Sequence, residues 1–161
     1  MTIKQIYSVW FSGACFSLLL VPSTGLPGQS LEVRRAHKEF VEEMMPERLA
    51  ALEKAVGFAH PIEFDFDTIQ AAEEPIKVYK ALPSGAVYYV VSAFAKVSSD
   101  ELGKEAIQEK IKKIRFVHTI DPEQTGVSLD DEGTLTLSMD GTSGHSEIAL
   151  TAVKEFLEKN L

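Results

Sequence analysis

The strongest constraint on this chain is a break in composition at residue 30. Residues 1–30 contain no Asp or Glu and a single basic residue, Lys4, while all 24 acidic residues lie beyond them. From Ile6 to Val21 runs a mostly apolar stretch, IYSVWFSGACFSLLLV, followed by the breakers Pro22, Gly25, Pro27 and Gly28. A short basic start, an apolar middle and a breaker-rich end is the order of a secretory signal. The stretch is sixteen residues long and includes three Ser and a Gly, short of the roughly twenty that a membrane-spanning helix needs. Two small-x-small sequences suited to cleavage follow, Ser23-Thr24-Gly25 and Gly28-Gln29-Ser30. The segment 1–30 therefore reads as an export leader. The alternative is a buried strand pair or helix built from the same apolar run.

Cysteine usage agrees with export. The only Cys, Cys15, and the only Trp, Trp10, both fall inside the segment. Its removal leaves a domain without a thiol, which suits an oxidising compartment. The expected location is periplasmic or secreted, and cytoplasmic if the segment is retained. No stable membrane span is expected in the mature form.

Residues 31–161 have the length of one domain. The whole chain is 45% hydrophobic and 25% charged, ordinary for a globular protein. A net charge of −8 repels phosphate backbones, so nucleic acid is not an expected partner.

Periodicity predicts an amphipathic helix from Leu31, with Val33, Ala36, Phe40, Val41 and Met44 facing inward and His37 on the polar side. Pro46 should kink it or open a second helix, which Gly57 ends. Residues 61–69 alternate, with Ile62, Phe64 and Phe66 on one face and Glu63, Asp65 and Asp67 on the other, as in a half-buried strand. Residues 76–82 and 86–95 read as two strands joined by the turn Pro83-Ser84-Gly85, forming a hairpin. A helix follows, capped by Ser98-x-x-Glu101 and buried along Leu102, Ala106, Ile107, Ile111 and Ile114. Then come a strand over 114–120, a hairpin of GVSL and TLTLSM, and a last helix from Ser146 to Lys159. The fold class is α+β: a mainly antiparallel sheet of about five to six strands, packed by N-terminal, middle and C-terminal helices.

Candidate chemistry is sparse. There is no helical His pair or Cys-based zinc pattern, no phosphate loop and no nucleophile elbow. No cofactor is therefore expected. His118 is the candidate catalytic residue, on the apolar face of its strand, with Asp121 or Glu123 as the carboxylate that would orient the imidazole. His60, before Pro61, reads as a loop residue. Glu63, Asp65 and Asp67 form an acidic strand face that could hold a hard cation or serve as a solubilising, edge-protecting surface. Asp130-Asp131-Glu132-Gly133 reads as a turn. Tyr79, Tyr88, Tyr89 and Phe94 would line an apolar groove if one sheet face were open, and would be core if both were covered.

Three functions fit these residues. The first is a non-enzymatic binding or accessory domain, exported, for a protein or small apolar ligand. The second is a small enzyme built on His118. The third is a cytoplasmic homodimer that binds partners as chaperones do.

Overall fold

The computed structural model describes residues 29–57, 60–142 and 146–161. The leader reading of residues 1–30 thus lies outside them, apart from Gln29 and Ser30. The chain is α+β, with a four-stranded mixed sheet and helices packed on its apolar face.

Helix α1 (Leu31–Glu39) starts where Ser30 accepts a hydrogen bond from the Val33 amide at 3.2 Å. That cap satisfies one of the amides left unpaired at a helix start. Before Pro46 the helix widens into a π turn, Phe40–Met44, in which the Met45 amide reaches back to the Phe40 carbonyl. Proline crowds the carbonyl four residues back, and the wider turn relieves that crowding. Helix α2 (Met45–Val56) then ends at Gly57, whose φ of 85° is a left-handed cap that glycine adopts without strain.

Strand β1 is only Ile62–Phe64. The expected longer strand stops because Asp65 is a helix cap. Its carboxylate accepts from the Thr68 amide and its carbonyl from the Thr68 hydroxyl, and α3 (Phe66–Gln70) begins there.

The hairpin expected over 76–95 is instead a pair of helices, α4 (Pro75–Ala81) and α5 (Ala86–Val97). In α5 the buried residues are Ala86, Val87, Val90, Ala93 and Phe94, the spacing of a helix stripe. Its β-branched and aromatic content suggests a strand, but burial against α2 on one side and α7 on another suits an apolar helix. Pro75 opens α4, where its missing N–H costs nothing.

Helix α6 (Glu101–Lys110) is capped by Asp100, which accepts from the Gly103 amide at 2.8 Å. Ser98, expected as the cap, turns inward and donates its hydroxyl to the Phe94 and Ala55 carbonyls. Leu102, expected in the buried stripe, is exposed, and Ile111 and Ile114 are buried outside the helix.

Strand β2 (Lys113–His118), β3 (Gly126–Leu129), β4 (Thr134–Met139) and α7 (Ser146–Asn160) complete the chain. The sheet order is β1-β2-β4-β3. β1 with β2 and β2 with β4 run parallel; only the β3–β4 hairpin is antiparallel. The expectation of five to six mainly antiparallel strands is therefore corrected: two of those strands are helices, and the inner pairings join segments far apart in the chain.

Register separates the two sheet faces. Ile62, Ile114, Leu135 and Leu129 lie in one row, and Phe64, Phe116, Leu137 and Val127 in the next. These rows meet the helices in a single apolar core. Phe64 stacks on Phe116 at 5.1 Å, and Phe40 of the π turn stands edge-on to Phe64 at 4.8 Å. The opposite face carries the row Glu63, Arg115, Thr136 and Ser128, with Lys113 and Thr134 before it and Val117 and Ser138 after it.

Candidate functional site

Parallel strands align their carboxyl ends, and in open sheets ligands bind there. The ends of β1, β2 and β4 bring Asp65, His118 and Asp140 to one edge of this sheet. Thr68 in α3 joins them. Its hydroxyl accepts from the His118 backbone amide at 3.0 Å while donating to the Asp65 carbonyl at 2.7 Å.

His118 is half-buried. Its Nδ1 accepts a hydrogen bond from the Gly141 amide at 3.1 Å. An accepting Nδ1 carries no proton, so the neutral ring bears its proton on Nε2. Burial lowers the His118 pKa, and the nearby Asp140 carboxylate acts in the opposite direction. Gly141 sits tightly on α4: a Cβ there would come within 2.8 Å of Val78 Cγ1. Asp140 accepts from the amide and hydroxyl of Thr142, closing the turn after β4.

Asp121 and Glu123, the carboxylates suggested by sequence, serve a different turn. Asp121 accepts from the Glu123 amide at 2.9 Å and from Gln124 Nε2 at 2.8 Å, and Glu123 is exposed. The carboxylate that acts on His118 is Asp140. Sequence reasoning missed it because alternation reports only neighbours along a strand. Asp-Gly after the clear strand TLTLSM was the available signal.

The acidic trio does not share a face. Glu63 pairs with Lys113 at 3.2 Å, and Asp65 takes a 2.6 Å hydrogen bond from Arg115 Nη2. Asp67 lies in the first turn of α3. Among the described residues no group of three or more His, Cys, Asp or Glu is arranged to hold a metal ion. Asp130 accepts from the Glu132 and Thr134 amides, and Gly133 has φ 82°, the geometry of a turn.

The four aromatics part company. Tyr79 and Phe94 are enclosed in the core. Burial pushes the Tyr79 phenol up to about 12, with the Gln70 side chain acting against it. Tyr88 is exposed, edge-on to Tyr89 at 5.2 Å, and Arg48 of α2 lies 5.9 Å from its ring centre.

One histidine departs from the sequence reading, and another lies in a loop, as expected, but buried. His37, expected on the polar side of α1, is edge-on to Phe66 at 4.6 Å. His60, expected in a loop, is 7% exposed and edge-on to Phe94 at 5.7 Å.

Comparison with protein-family models, curated proteins and solved structures finds no match to this chain. Among the described residues no helix is long and apolar enough to cross a membrane.

Proposed function

We propose that this chain is a non-enzymatic binding or accessory domain, exported behind residues 1–30 to the periplasm or exterior, that engages a protein partner across the polar face of its sheet. The observation that carries this reading is the exposure of an inner strand. Lys113 and Arg115 lie on β2, between two neighbours, yet their side chains are 35% and 42% exposed. Mostly parallel sheets are ordinarily covered on both faces; here the second face is polar and reaches solvent. Its paired charges and hydroxyls suit a protein surface, which contributes matching hydrogen bonds and charge.

A small apolar ligand is less supported, because such ligands need an apolar concavity and two of the four candidate aromatics are enclosed in the core. The catalytic alternative is less supported for a related reason. Proton abstraction needs a free lone pair, and the lone pair of His118 Nδ1 is engaged by Gly141.

The test is photo-crosslinking in the chain's own host, with a photoreactive residue placed at Thr136 on the open face or at Lys104 on α6. A discrete adduct from position 136 and none from 104 is the expected result. An adduct at twice the chain's mass would make the partner a second copy. Equal adducts from both positions, or none from 136, would remove the reading.

A further inference from the structure

Strand β3 forms one edge of the sheet, and its outer side meets no other strand among the described residues. The hairpin geometry fixes which backbone groups it offers there. The Asp130 amide donates to the Thr134 carbonyl, and the Gly133 amide to the Asp130 carbonyl, closing a tight turn. Opposed residues of an antiparallel pair alternate between bonded and unbonded pairs. Counting back from Asp130 and Thr134, Ser128 bonds Thr136 and Gly126 bonds Ser138, so Val127 and Leu129 turn their N–H and C=O groups outward. Among the described residues no other backbone or side chain takes up these groups. The Val127 and Leu129 side chains stay packed on the core.

Sheet edges are commonly blunted by Lys, Pro or a bulge. The β3 sequence GVSL has neither Lys nor Pro. Gly126 and Ser128 are exposed, and a Cβ added to Gly126 would meet nothing within 4 Å. The surrounding charge has one sign. Asp121 and Glu123 precede the strand, Asp130, Asp131 and Glu132 follow it, and no Lys or Arg occurs from Phe116 to Val153.

We propose that the β3 edge is the docking site for an extended basic segment of a partner protein, which adds a fifth strand through the outward groups of Val127 and Leu129. In this mode of recognition backbone hydrogen bonds supply attraction, and side chains select the partner. The two residues stand about 7 Å apart along the strand, the spacing of alternate residues in an extended peptide. Alternate side chains of the added strand continue the apolar row beside Val127 and the polar row beside Ser128. Lys or Arg at its ends meets the acids that flank β3. A second copy does not meet this requirement. Antiparallel pairing of two β3 edges sets the acidic turn of each copy against the acidic approach to β3 of the other, and like charges repel. The edge is separate from the polar face assigned above, and each can hold without the other.

The test is an NMR titration of the protein isolated from its own host with the synthetic peptide Lys-Lys-Thr-Val-Thr-Val-Thr-Lys-Lys, and with the same peptide carrying Glu for every Lys. The lysine peptide should shift the Val127 and Leu129 amide signals and slow their hydrogen exchange. The glutamate peptide should bind at least about tenfold more weakly. Glu123→Lys combined with Asp131→Lys should reverse that preference. Val127→Pro removes one outward donor at a position where an edge strand tolerates proline, so it should fold and lose the lysine peptide. If it does not fold, the charge-reversed pair decides. Equal binding of the two peptides, or no binding of either, would overturn the proposal. Protection of Val127 and Leu129 that grows with protein concentration alone would also overturn it, because the occupant would then be a second copy.

Discussion

At the scale of residues, the polar face is held by charge pairs that cross between strands. Arg115 and Asp65 join β2 to the cap of α3 at 2.6 Å, but their side chains are 42% and 20% exposed. Water therefore screens the pair, and a double-mutant cycle over Asp65→Asn and Arg115→Gln should give a coupling of about 0.5 kcal/mol, weaker in high salt. A coupling near zero at low salt would mean that the pair only positions its neighbours. Residue types and alternation were enough to single out His118 and Asp65. They were not enough to supply Asp140, Thr68 or Arg115, because those partners arrive through pairings between segments far apart in the chain. His60 illustrates the same limit: a His before a Pro reads as a loop, and only packing shows that the loop is inside.

At the scale of elements, local chemistry is decisive wherever an end is marked by a side chain. Gly57 ends α2, a second helix opens at Pro46, and Thr-Leu alternation makes β4, all as the sequence suggests. Segments 76–82 and 86–95 go the other way. AVYYVVSAFA is rich in strand-forming residues and apolar on nearly every position, so its period is ambiguous. Packing against two helices resolves it as α5. The first helix offers a quantitative check. Ser30 is its cap, so Ser30→Ala should lower unfolding free energy by about 1 kcal/mol in urea melts. No change would mean that the first turn of α1 frays without cost. The cap also bears on processing. Cleavage after Ser30 would strip the helix of it, whereas cleavage after Gly25 would leave it in place.

At the scale of the whole molecule, the α+β class and the β3–β4 hairpin were legible, and the parallel pairings were not. Parallel pairing of β1 with β2 joins Ile62 to Ile114 across all of α3 to α6. Nothing local in either segment specifies that partner. The consequence is a sheet that buries one face under helices and turns a polar face outward, which is the surface we assign to a partner. Export is the claim on which the account turns, and the intact mass of the protein isolated from its own host tests it most directly. The account predicts loss of residues 1–25, a chain starting at Leu26, and no tryptophan fluorescence, since Trp10 would be gone. A full-length mass with Trp10 retained would contradict it.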